Sequence, residues 1–262
     1  MKFDRRVFLE ELHGTRNVLL QLISQQLILR YRRTILGYLW TLINPLLMMS
    51  VMAAVFSVLF KADLKTFSVF LFAGMIPWNF FNAVVTQSST SLINNEGLIK
   101  KVYLRKIIFP LSLASALLID SMLSFLALFV IIVAIGGSVS WALMFIPVAY
   151  ILLFLFSVGV GLIISVATVF FRDLQHLVGI AMQGLFFLTP VLYKHDALVG
   201  MVAWLVGWNP VAPFIELFRS SLYLAALPST NVVVQAAFIS LSALGIGLFV
   251  FQRYEKEIVF RL

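Results

Sequence analysis

Long apolar runs, broken by short charged joins, dominate the chain from residue 35 onward. No charged residue occurs from Ile35 to Phe60. Such a run makes about 39 Å of helix at ~1.5 Å per residue, and a bilayer core of about 30 Å needs only about 20 residues. Comparable runs occupy 67–93, 107–135, 141–170, 174–192 and 232–251, which predicts six spans. The expected fold is an all-α polytopic membrane protein, a single transmembrane domain over 1–262. Asn44-Pro45 and Pro77 are expected to kink the first two spans, because proline removes a backbone donor.

The joins have patterns of their own. Ahead of the first span, Asn17, Gln21, Ser24 and Gln25 share one helical face, and Leu19, Leu20, Ile23 and Leu27 share another. That spacing predicts an amphipathic interfacial helix over 15–34. Between spans two and three, residues 94–106 read NNEGLIKKVYLRK. Asn94 or Asn95 is expected to cap a short helix with Glu96 near its start. Leu98, Ile99 and Val102 give that helix an apolar side, suited to a partner's groove. Between spans five and six, two short apolar pieces within 197–227 flank Trp208-Asn209-Pro210. The first is too short to cross and the second carries Glu216 and Arg219, so both are expected to dip in and return as gate helices.

Composition strengthens this picture. Hydrophobic residues make up 62% of the chain and mean hydropathy is +1.04, where a soluble domain is nearer half apolar. The net charge of +8 would suit nucleic acid, but its distribution is that of a membrane protein and no nucleic-acid partner is expected. Seven Lys or Arg precede Ile35, four lie in the second join, one follows span four and three follow span six. That is fifteen on one side, against Lys61, Lys65, Lys194 and Arg219 on the other. The positive-inside rule then puts both termini in the cytoplasm. The first residues mix charge signs and lack an apolar core, so no cleavable signal peptide is expected.

Candidate chemistry is sparse. Cysteine is absent, which excludes disulfides and thiolate metal sites. No GxxxxGK[ST] loop occurs, and His13, His176 and His195 sit in separate joins, so no catalytic residue, cofactor or metal is expected on this chain. Asp120 is the one carboxylate inside a predicted span. It reads either as a substrate or proton contact or as a polar pin between helices. Aromatics reach 14%. Trp40, Trp78, Phe81, Phe186 and Phe187 lie within spans, where rings serve as lipid anchors or as stacking faces along a passage.

Four stretches occur in a telling order: RYRRTILGYLWTLINP, NNEGLIKKVYLRKIIFP, FFRDLQHL and WNPVAPFIELFR. Together they resemble the membrane subunit of type-two ABC exporters for polysaccharides, the group of O-antigen, capsule and teichoic acid permeases. The resemblance implies a homodimer with six spans per protomer in the bacterial cytoplasmic membrane. It implies a separate nucleotide-binding subunit, in two copies, that carries ATP and Mg. It assigns ATPase coupling to Asn95, Glu96, Gly97, Leu98, Ile99, Lys100 and Lys101 and to the short loop with Arg172 and Asp173. It assigns the gate to the region around Trp208, Asn209 and Pro210.

The expected activity is export of a lipid-linked polysaccharide, O-antigen foremost. Arg30, Arg32 and Arg33 would receive the lipid diphosphate. Trp40, Trp78, Phe81, Phe186 and Phe187 would offer the glycan a channel. Two other readings remain: a type-two exporter of a small amphiphile or drug, and a stand-alone channel or secondary transporter. The latter usually shows more intramembrane charge or paired broken helices.

Overall fold

A computed structural model describes residues 5–31, 39–102, 104–134, 140–194 and 200–262. Among these residues the secondary structure is helical, with no strand. Ten α-helices follow in order: α1 Arg5–Tyr31, α2 Trp40–Leu59, α3 Leu64–Ser91, α4 Glu96–Lys101, α5 Ile108–Ala134, α6 Ile146–Phe170, α7 Leu174–Leu188, α8 Gly200–Gly207, α9 Ala212–Leu222 and α10 Thr230–Arg261. Helices containing 64–91, 108–130, 141–170 and 230–261 are long and apolar enough to cross a bilayer. The chain is a multi-pass membrane protein.

The centre of the bundle is α3. Every residue from Phe70 to Trp78 is buried, so this helix has no outward face over more than two turns. A helix apolar all round belongs in the interior. Its neighbours are α2, α5, α6, α7 and α9. Asp63 starts it, with its Oδ2 accepting from the Thr66 amide at 3.0 Å. That bond holds the Asp63 carboxyl below the usual carboxylate range. Pro77 sits within the helix, and the helix continues through it to Ser91.

The longest helix, α10, has 32 residues, about 48 Å, and lies along α6. Small residues bring the two backbones together. A Cβ on Gly247 would meet the Gly159 carbonyl oxygen at 2.4 Å. Ser240 Oγ, two turns from Gly247, also reaches across to the Leu152 carbonyl at 2.7 Å. The far end of α10 is fastened as well, since Glu255 accepts from the Lys106 amide at 3.2 Å and Tyr254 packs edge-on to Phe170.

The peripheral helices bury single stripes. On α2 the stripe is Met49, Ala53 and Ser57, while Leu47, Met48, Val51, Val55 and Val58 face outward. α1 packs on α5. It exposes Asn17, Gln21, Ser24 and Gln25 and buries Leu22, yet it also exposes Leu20, Ile28 and Leu29.

Several boundaries differ from the sequence expectation. α1 is one helix from Arg5 rather than a helix that begins at 15; residues 32–34 lie outside the described set, as do 35–38 of the first span. α7 ends at Leu188, four residues before the expected 192. The cause is Pro190, which pushes Thr189 to an extended conformation of φ −94° and ψ 133°. At 15 residues, α7 is about 22 Å long. The last helix starts earlier and ends ten residues later than 232–251.

Candidate functional site

Two ends of the bundle carry the polar side chains that sequence reasoning singled out. The first is the end where α3 stops. Its last turn takes the asparagines that were expected to open the next helix. Asn95 Nδ2 donates to the Ser91 carbonyl at 2.7 Å, and Asn94 Nδ2 donates to Thr90 Oγ1 at 3.2 Å. Neither side chain caps α4, so the capping expectation is corrected: Asn95 closes α3 because its amide can donate to a terminal carbonyl, and Asn94 reaches a hydroxyl one turn back. The helix of the expected 94–106 segment is only Glu96–Lys101, and Val102 is already extended.

This short helix is held and displayed at once. Lys100 Nζ bonds Glu96 Oε1 at 2.6 Å, one turn apart. That bond, with a smaller contribution from the Arg172 charge, holds the Glu96 carboxyl below the usual carboxylate range. Glu96 and Arg172, from two different joins, therefore feel each other. Ile99 is buried, whereas Leu98 and Val102 are exposed. Gly97 has open space around it, and Lys101, Arg172 and Asp173 are exposed. Phe171, 72% exposed, adds an outward ring that sequence reasoning overlooked. An aromatic directly before the Arg172-Asp173 turn is its sequence signal.

The second end is built around α9. Pro213 sits in the first turn of α9, where a missing N–H costs nothing. From Pro213 to Leu222 all but Glu216 are buried. This helix is therefore enclosed among α3, α6 and α10. Asn209 locks its entry. The Asn209 amide donates to the Leu188 carbonyl at 3.1 Å and to Thr189 Oγ1 at 2.8 Å, and its Oδ1 accepts from the Val211 amide at 2.9 Å. The break at Trp208-Asn209-Pro210 is thus tied to the end of α7. Trp208 itself is exposed and lies 6.2 Å from Trp204, ring to ring.

Arg219 is the unusual residue of α9. It is only 6% exposed. Its Nη2 donates to the Val191 carbonyl at 3.0 Å, its guanidinium lies 3.8 Å above the Phe70 ring, and its Nε has no hydrogen-bond partner among the described residues. Room for it exists because α3 has Gly74 there; a Cβ on Gly74 would come within 3.1 Å of Nη2.

A ladder of rings links α7, α3, α6 and α9. Phe187 meets Phe186, Phe186 meets Trp78, Trp78 meets Phe81, Phe81 stacks on Phe156, and Phe156 stacks on Phe214, with centroids 4.8–6.2 Å apart. Four of the five aromatics singled out from the sequence, all but Trp40, are therefore together. Trp78 and Phe81 are 4% and 3% exposed, so the protomer's own core holds them. Phe187 and Trp40 are 69% and 43% exposed. Of the arginines, Arg30 lies in the last turn of α1, and Arg32 and Arg33 lie outside the described residues.

α7 also presents a face that sequence reasoning missed. His176, Ile180, Gln183, Gly184 and Phe187 are exposed along it. Gln183 is the sequence signal, a carboxamide in the middle of an apolar helix. Asp120 is buried, 8% exposed, beside a cavity of about 120 Å³ that Asn79, Ser121 and Ser124 also line.

Comparison with known proteins follows this geometry. Residues 17–223 match the family described as ABC-2 type transporter. The chain is 28% identical to the O-antigen export system permease protein RfbA of Myxococcus xanthus, over 94% of this chain and 96% of that one. It is 31% identical to the protein of the same name from Klebsiella pneumoniae, over 78% and 79%. It is 23% identical to the polysialic acid transport protein KpsM of Escherichia coli, over 88% and 90%.

Proposed function

From the premise that the chain belongs to the ABC-2 type transporter family, we propose that it is the permease subunit of an ATP-driven exporter that moves a lipid-linked polysaccharide, O-antigen foremost, out of the cytoplasm. The observation that carries this reading is its nearly end-to-end likeness to an O-antigen export permease. A polysialic acid transporter of similar length stands beside it. The chain does no chemistry itself. ATP and Mg belong to a nucleotide-binding partner, present in two copies.

The partner docks on α4 and the Arg172-Asp173 turn. Exposed Leu98, Val102 and Phe171 beside basic side chains suit a groove with an acidic rim. Two permease protomers pair through α7. Its outward Gln183 supports this, since a carboxamide facing hydrocarbon is costly while one facing a second copy or a watery passage is not. The passage lies between the copies, where Trp40 and Phe187 offer exposed rings. Stacking on sugar faces tolerates sliding because no single register is preferred. In this reading six segments span the inner membrane, α7 among them. α8 and α9 are the gate, and both termini are cytoplasmic. The lipid diphosphate enters near Arg30, Arg32 and Arg33.

Reconstitution with a nucleotide-binding partner tests the reading. Lipid-linked glycan should stimulate ATP hydrolysis in proteoliposomes. Stimulation by small amphiphiles with none by the glycan would replace this reading with that of an amphiphile or drug exporter.

A further inference from the structure

We propose that the cavity behind α9 is a binding site for the phosphoryl head of a membrane amphiphile, at the end of the bundle opposite α4. The cavity encloses about 540 Å³, well within the range of small-molecule sites. Lys194, Arg219, Tyr223, Gln235 and Glu216 bring polar groups to its wall. Among the described residues, two cations against one carboxylate leave the wall net positive. The Glu216 charge acts on Arg219 from a distance, but no contact ion pair joins them among the described residues, and Glu216 accepts from Ser220 Oγ at 3.3 Å. Arg219 is nine-tenths buried, and its Nε has no hydrogen-bond partner among the described residues. A buried cation with one N–H unused and no ion-pair partner among the described residues can still take an anion from outside the protein. Asn209 also lines the cavity, but its amide and carbonyl are fully used in holding the turn.

An adjoining cavity says what kind of anion fits. It encloses about 380 Å³, shares Phe70, Lys194 and Tyr223 with the first, and is walled by Phe60, Phe67 and Leu192. A charged chamber opening beside an apolar one suits a phosphate joined to a hydrocarbon chain. Its depth agrees. Phe70, which lines both, is separated from Ser91, beside α4, by about 31 Å of helix at ~1.5 Å per residue, close to the ~30 Å of a bilayer core. The site therefore lies where the head groups of the leaflet remote from α4 begin.

The test uses the full chain, purified in a neutral detergent. Phosphatidylglycerol retention is measured by native mass spectrometry against phosphatidylcholine. Inorganic phosphate is titrated separately by thermal shift. Lys194→Gln should weaken phosphatidylglycerol retention roughly tenfold, the worth of one charge-assisted hydrogen bond. Ala212→Trp, which fills the chamber and leaves both cations in place, should abolish it. Retention of phosphatidylglycerol with no effect of inorganic phosphate identifies a lipid head. A phosphate effect lost in the same variants, without lipid retention, identifies a soluble phosphate as the source of the same anion. If neither ligand binds, or if both variants, folded by their thermal midpoints, bind as the parent does, the proposal fails. No ATP or partner enters the assay, so its failure leaves the export reading untouched.

Discussion

Gly159→Ala measures how tightly α6 and α10 are joined. An ideal Cβ on Gly159 falls 2.4 Å from the Ala243 carbonyl carbon and 2.5 Å from its oxygen. Ordinary contact starts near 3.5 Å, so the helices must part by about 1 Å. A gap of 0.5–1 Å forfeits roughly a quarter to a half of each dispersion well along the contact. Both clashing groups are backbone and cannot swing aside. The cost then lies at the upper end of the ~1–3 kcal/mol typical of overpacking. Helix propensity returns up to ~1 kcal/mol when alanine replaces glycine, leaving a net loss of about 2 kcal/mol. Gly245→Ala is the control, because it lies on the same helix as Ala243 and nothing stands within 4 Å of its added Cβ. The assay is thermal unfolding of both variants in one detergent, compared by apparent midpoint because membrane proteins often unfold irreversibly. Gly159→Ala should fall below the parent and Gly245→Ala should match or exceed it. Equal midpoints for the two variants would refute the close approach.

Asn209→Ala should cost about 1–3 kcal/mol, because Thr189 Oγ1, the Leu188 carbonyl and the Val211 amide lose a buried partner together; a midpoint unchanged from the parent would show that the turn is held elsewhere. Gly97→Pro should leave the protomer's abundance unaltered, since a Cβ added at Gly97 would meet nothing within 4 Å, while glycan-stimulated ATP hydrolysis with the partner drops; normal coupling would reduce 94–106 to a charged turn. Phe187→Ala should slow export of long glycan chains more than short ones, as each chain meets the ring repeatedly; a uniform loss across chain lengths would remove Phe187 from the passage.

Long apolar runs are legible without coordinates because crossing a bilayer demands length and apolarity locally, so 141–170 falls where the sequence puts it. Ends are less legible. The stop at Leu188 depends on one Pro, which an apolar count does not weigh, though Thr189-Pro190 is readable in hindsight. Asn94 and Asn95 serve the helix before them rather than the one after, and a side chain with both donor and acceptor can do either. The enclosure of α9 was hidden for another reason. Glu216 and Arg219 mark it as marginal in hydropathy, and the seat that accepts Arg219 is made by Phe70 and Gly74, some 145 positions earlier. Nothing local to α9 announces that seat.

The order of synthesis gives that distant seat a cost in time. α9 leaves the ribosome before α10, yet α10 forms part of its enclosure. At roughly 5–20 residues per second, the 32 residues of α10 take about two to six seconds to follow. Throughout that interval the guanidinium of Arg219 can reach Phe70 and Val191, but the wall behind it is missing. α9 is therefore born unfinished, held at the water's edge until the last helix closes over it. A chain stalled in that interval would present a charged, half-seated helix to the membrane's quality-control proteases. Substitutions that slow the α6–α10 closure at Gly159 would lengthen the exposure of a segment they never touch, and so lower the yield of protein before they alter its transport.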